Sequence, residues 1–270
     1  MGIWFVPRTL TAAHWSISCL DLDTGANLLA ISPDSVLSCA SVGKVLALLD
    51  LAGRCDAGLD PATTVLSRRT VEPVGDSGLW QFLTVEALSL QDIASLIGAV
   101  SDNLASNVLI EFLGLAAIDR VRAARGLATL RLHDIVRDER LPTHPERLSS
   151  GSAGEWVRLM AELAYGEAAC GTVESRVLAW LSHSMDLTMV PATLRADPLS
   201  HGSGPDRCRV VNKTGTDRGV RADVGLLTGP FGRIAYAAIC NFDAEAVALG
   251  DVMQDLNDLG AFLVSRSSGS

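Results

Sequence analysis

The chain has 270 residues, 48% of them apolar and 20% charged, enough apolar material for one large domain or two closely packed subdomains. A net charge of −9 argues against nucleic acid or an anionic membrane as the main partner, and no apolar stretch is long enough to span a bilayer. Of the 22 basic residues only two, Lys44 and Lys213, are lysines. Arginine keeps its proton inside proteins, whereas a desolvated lysine can lose one. A lysine retained in so arginine-rich a chain is therefore a candidate proton carrier.

The amino-terminal segment, Met1-Gly2-Ile3-Trp4-Phe5-Val6-Pro7-Arg8, lacks the basic start and longer apolar core of a signal peptide. Residues 15–31 then have the pattern of a hairpin turning through Asp23-Thr24-Gly25. Next comes Ser41-Val42-Gly43-Lys44, followed by an apolar run that predicts a buried helix ending near Gly53. Residues three apart share a helix face, so Ser41 and Lys44 can meet. A serine hydroxyl is a weak nucleophile until a base takes its proton, and a neutral lysine beside it can be that base.

Ser89 and Asp92 resemble a capping box opening another helix, which places Ser101-Asp102-Asn103 in a short connection between two helices. Such residues are also the ordinary ones of turns and helix N-caps. Ser152-Ala153-Gly154-Glu155 predicts a capping box, Thr172 the start of a further helix, and Asp243 the cap of a final one carrying Val252, Leu256, Leu259 and Leu263. Trp80, Trp156 and Trp180 are core candidates. Residues 208–242 predict three strands, the first leading into Lys213-Thr214-Gly215-Thr216. A glycine at a strand edge lets a ligand reach backbone N–H groups. From Ser265 the chain is a Ser/Gly tail. The six cysteines (Cys19, Cys39, Cys55, Cys170, Cys208, Cys240) have no zinc-type or Cys-x-x-Cys spacing and are expected to be small buried residues of a reducing compartment. The expectation is a cytoplasmic protein with no metal and no cofactor.

Taken in order, Ser-x-x-Lys, Ser-Asp-Asn and Lys-Thr-Gly resemble the penicillin-recognising serine enzymes, and most closely the class A β-lactamases. The opening hairpin, Val74-Gly75-Asp76-Ser77-Gly78 and Arg221-x-Asp223-x-Gly225 extend the resemblance over nearly the whole chain. It implies an α+β fold: a five-stranded antiparallel sheet formed by both chain ends, packed against helices, with a mainly helical middle. Residues 1–270 would form one domain, with 15–32 and 205–265 as its α/β part and 33–204 as its helical part.

The resemblance also implies roles. Ser41 would be the acylated nucleophile and Lys44 its proton acceptor, while Ser101 would pass a proton to the leaving nitrogen with Lys213 keeping the site positive. Asn103 would donate to an acylamide carbonyl. The backbone N–H groups of Ser41 and Thr216 would form the oxyanion hole, and Thr214, Gly215, Thr216 and Arg221 would face a substrate carboxylate. For Arg221 an ion pair with Asp223 is the other reading. The implied partner is a small molecule carrying a carboxylate; the oligomeric state is unspecified.

One departure bears on mechanism. Class A enzymes carry a deacylating glutamate in a Glu-x-x-Leu-Asn pattern, which Leu132–Pro142 lacks, and in the simplest register Val136 falls where that glutamate stands. Asp138 or Glu139 either substitutes for it or is a solvated loop charge. The expected activity is therefore a serine acyl hydrolase opening a β-lactam or related small amide or ester. Alternatives are an acyltransferase of small-molecule biosynthesis and a non-catalytic ligand-binding relative.

Overall fold

The computed structural model describes residues 5–167, 171–199, 208–230 and 232–266. Cys170, Met1 to Trp4 and the tail beyond Arg266 lie outside the described residues. In chain order the elements are β1 (Ala13–Asp21), β2 (Asn27–Ile31), β3 (Leu37–Ser38), α1 (Lys44–Asp56), β4 (Val65–Ser67) and β5 (Ala87–Ser89). There follow α2 (Leu90–Val100), α3 (Asn103–Leu113), α4 (Leu115–Ala124), β6 (Arg131–Leu132), β7 (Ser149–Gly151), α5 (Ala153–Gly166) and α6 (Val173–Leu181). The chain closes with β8 (Arg209–Asp217), β9 (Val220–Gly229), β10 (Gly232–Phe242) and α7 (Leu249–Arg266).

The two chain ends meet in one antiparallel sheet of order β2-β1-β10-β9-β8, as expected. The seam between them is the β1–β10 pairing, with Ser16 opposite Ile239 and Asp21 opposite Ile234. Alternation along β10 supplies both faces of the sheet. Ala235, Ala237 and Ile239 join a core shared with the central helices, while Ile234, Tyr236, Ala238 and Cys240 join a second core beneath α7. β8 is an edge strand, paired only with β9 among the described residues, so the other side of the Lys-Thr-Gly segment has no strand partner among them.

α1 is buried nearly all round, from Val45 through Leu51, as suits a helix at the centre of a helical layer. It runs to Asp56 and so passes through Gly53, where the sequence suggested a stop; a Cβ there would meet nothing. Trp80, Trp156 and Trp180 are all buried.

Two predicted caps are not formed. Ser152 stands at the start of α5 without capping it, because its hydroxyl pairs with Thr129 Oγ1 and Glu155 accepts the N–H groups of Ala128, Thr129 and Leu130 instead. A neighbouring loop outcompetes the helix's own first turn. Asp243 accepts from the N–H of Glu245 in a tight turn, so α7 begins only at Leu249. Ser89 and Thr172, by contrast, do cap α2 and α6.

α2 and α6 touch backbone to backbone at Gly98, where a Cβ would lie 2.1 Å from the Trp180 carbonyl oxygen. Neither helix can yield without moving the buried Trp180. Gly98→Ala is expected to destabilise the protein by about 1–3 kcal/mol through overpacking, measured as a lower midpoint of urea unfolding with an unchanged slope.

Candidate active site

Ser41 sits in a 3₁₀ turn, Ala40–Gly43, that leads directly into α1 at Lys44. The turn is wedged between two partners. On one side Ser149 Oγ donates to Ala40 O at 2.6 Å, and a Cβ on Gly43 would collide with the Ser149 side chain at 2.2 Å. On the other lies β8, where a Cβ on Gly215 would be 2.1 Å from Cys39 O and 3.2 Å from Ser41 N. Glycine at 215 is thus what lets the sheet edge approach the serine's turn. Ala40, just before the serine, is held at φ +46°, a conformation unusual for alanine. Ser41 lines a cavity of about 850 Å³, and its hydroxyl makes no hydrogen bond among the described residues.

The two lysines converge on Ser101, which also lines this cavity. Both are buried, at 0% and 2% exposure, far below what an unpaired ammonium ordinarily tolerates. Lys44 Nζ contacts Ser101 O at 2.6 Å, Asn103 Oδ1 at 2.8 Å and Ser101 Oγ at 3.3 Å. Lys213 Nζ donates to the same Ser101 Oγ at 2.9 Å and to Thr214 O at 2.8 Å. Burial pushes the Lys44 amine well below the ordinary lysine value and the Lys213 charge pushes it further, with Asp102 and Asp76 partly opposing. Burial also lowers Lys213, to about 8, against the pull of Asp186 and Asp223.

Both amines thus donate to one hydroxyl, that of Ser101, while the other contacts of each are to oxygens that only accept.

Ser101 is delivered by a sharp elbow between α2 and α3. It ends α2 in the left-handed conformation, φ 56° and ψ 33°, usually taken by glycine. Asp102 caps α3 through Ala105 N–H at 2.9 Å, and its other oxygen accepts Leu79 N–H at 2.7 Å and Trp80 N–H at 2.8 Å. The cap therefore also fastens the 75–80 loop. Asn103 gives its carbonyl oxygen to Lys44 and donates its amide nitrogen to Gly75 O at 2.9 Å.

The 132–142 loop forms the opposite wall, fixed by a residue the sequence reading passed over. Asn107 accepts from Val136 N at 2.7 Å and donates to Val136 O at 2.8 Å, so the loop is held by its backbone at that point. Asn107 lies four residues after Asn103, on the same face of α3, and that spacing was its available signal. Val136 lines the cavity. Asp138 also lines it, but both its oxygens accept from Gly75 N, at 3.0 and 3.2 Å. Glu139 is exposed and not part of the wall. Arg137 and Arg140, both on the wall, are tied to Asp134.

Thr214 and Thr216 line the cavity with Lys213. Arg221 does not: its guanidinium donates to Asp217 O at 2.9 Å and Val220 O at 2.7 Å. Nor does it pair with Asp223, which is buried behind β8 and accepts from Asn212, Tyr236 and Val190. Burial lifts Asp223 to about 7. Among the described residues no His, Cys, Asp and Glu cluster is arranged to hold a metal ion, and no helix is long and apolar enough to cross a membrane.

The beta-lactamase enzyme family matches residues 8–257, most of the chain. The chain belongs to that family. This β-lactamase-type serine hydrolase is similar in structure to a β-lactamase from Sphaerobacter thermophilus, with TM-score 0.82 and 23% identity over 96% of this chain and 93% of that one. It is also similar to a mutant of PBP-A described as an acyl-enzyme complex with penicillin G, at TM-score 0.78 and 21% identity over 96% and 92% of the two chains. A class A β-lactamase from Mycobacterium abscessus aligns at TM-score 0.77 and 15% identity over 96% and 95%. At these identities the likeness is one of fold. No curated protein matches the chain.

Because Asp102 satisfies three backbone N–H groups, its removal should strand buried donors as well as a helix cap. Asp102→Ala is expected to cost about 3 kcal/mol. Urea unfolding measures it, and a loss below about 1 kcal/mol would contradict the assigned role.

Proposed function

We propose that this hydrolase opens a β-lactam, or a related small amide or ester, by forming an acyl ester on Ser41. The observation that carries the reading is the convergence of both lysine amines on Ser101 Oγ, on the wall of the cavity that Ser41 also lines. Lys44 takes the proton of Ser41 Oγ as that oxygen attacks the carbonyl carbon. Ser101 hands a proton to the leaving nitrogen and is reprotonated by Lys44, which carries the proton taken from Ser41. The N–H groups of Ser41 and Thr216 receive the developing oxyanion, where each donor is worth roughly 3 kcal/mol. Lys213, Thr214 and Thr216 hold a carboxylate on the substrate, a small molecule. Arg221 can assist only by releasing the carbonyls of its own turn, and Asn103 can bind an acylamide only by sharing the N–H now given to Gly75.

Val136 favours a second fate for the acyl group, transfer to an amine: it lines the cavity, and in the simplest register of the 132–142 loop it falls where class A enzymes carry a glutamate. Product analysis with and without added amines separates transfer from hydrolysis.

Intact-mass measurement after incubation with penicillin G or a p-nitrophenyl ester should show one acyl adduct, absent from Ser41→Ala. An adduct that persists in Ser41→Ala would overturn the reading. The acylation rate should also fall as pH rises through about 8, because Lys213 then loses the proton that holds the carboxylate. In Lys213→Arg, whose guanidinium does not titrate there, stopped-flow acylation should be slower but without that alkaline fall.

A further inference from the structure

We infer that Ser149 is a positioning residue for acylation, which aims the Ser41 N–H at the carbonyl oxygen of the substrate. This rests on the acyl-Ser41 reading above and adds the device that sets one of its two oxyanion donors.

The Ser41 N–H belongs to the same peptide unit as the Ala40 carbonyl. A peptide unit is planar, and in the trans form its C=O and N–H point in opposite directions. No peptide bond among the described residues is cis. Whatever fixes the Ala40 oxygen therefore also fixes the direction of the Ser41 hydrogen. Ser149 Oγ donates to that oxygen at 2.6 Å. On the other side of the turn, Ser41 N lies 3.2 Å from the place a Cβ on Gly215 would take. The unit thus spans the gap from Ser149 to the edge of β8, its oxygen held at one end and its N–H presented at the other. That N–H donates to no group among the described residues, and Ser41 lines the cavity.

The strained backbone shows how firmly the turn is held. Ala40 stands at φ +46°, which alanine seldom adopts, and three successive peptide units around it are fastened. Cys39 N–H donates to Ser149 O at 3.2 Å, Val42 N–H donates to Cys39 O at 3.1 Å, and Ser149 Oγ takes the Ala40 oxygen. Two of the three fastenings come from Ser149. Strain of this kind persists where the surroundings over-determine it, and it gathers at functional sites. Ser149 is itself immobilised: it is fully buried on β7, between β3 and β6, opposite Leu132. A buried hydroxyl has one proton to give, and this one goes to the carbonyl behind the oxyanion donor. The bond also polarises that peptide, which strengthens its N–H as a donor at the far end.

The test compares Ser149→Ala, which removes the donor, with Ser149→Cys, which keeps nearly the same shape and supplies a weaker one. Each is acylated with a p-nitrophenyl ester whose carbonyl carries an isotope label. Losing an oxyanion donor outright costs about 100- to 1000-fold, and a donor that is only misaimed costs less. Acylation at saturating ester should therefore slow about 10-fold or more in Ser149→Ala and less in Ser149→Cys, with the half-saturating concentration nearly unchanged. The infrared band of the acyl-Ser41 carbonyl, isolated by the isotope difference, should move to higher frequency in the same order, because an ester carbonyl stiffens when it loses a hydrogen bond. Ser149→Cys carries the test if the alanine variant does not fold. A parental band in either variant would overturn the proposal even beside a slower rate, since lost packing alone leaves the carbonyl's hydrogen bonds in place. Parental rates in both variants would overturn it too. If the parent protein itself never forms an adduct, the acyl-serine reading fails first and the proposal falls with it, whereas a normal adduct with an unmoved band refutes the proposal alone.

Discussion

Two buried amines share one hydroxyl, and that contact constrains the rest of the molecule. In a low-dielectric interior each of two neighbouring ammonium groups disfavours the charge of the other. The Lys44 amine is pushed well below the ordinary lysine value, because it is fully buried and faces the charge of Lys213. Lys213 retains more of its basicity because Asp186 and Asp223 stand behind it. A difference in basicity between two like residues is thereby built from position alone. The fold supplies the positions from three distant stretches of chain: the start of α1, the elbow after α2 and the edge strand β8.

Each delivery depends on a backbone feature with little tolerance. The serine's turn fits between Ser149 and Gly215 only because neither Gly43 nor Gly215 has a side chain. Ser101 reaches both amines only in the left-handed conformation that ends α2. Asp102, between them, binds the elbow to the 75–80 loop, so loop and elbow form one fastened unit. The cleft is the junction where the sheet edge meets the helical layer, not a hollow within either.

Much of this was legible in the sequence. The three strands expected within residues 208–242 are β8, β9 and β10. The scarcity of lysine pointed to the two residues that meet at Ser101. What the sequence could not convey was competition among partners. Glu155 and Asp243 carry cap signatures, yet each has backbone donors nearby that only the folded chain brings within reach. Asn103 and Arg221 have the expected side chains with their donors turned to backbone carbonyls.

The clamp on the 132–142 loop has an evolutionary corollary. Asn107 holds Val136 through both peptide groups of the main chain and makes no demand on the side chain that projects there. Identity at 136 is therefore decoupled from the loop's architecture, whereas identity at 107 is not. Substitution at 136 can therefore alter the lining of the cavity while leaving the scaffold intact.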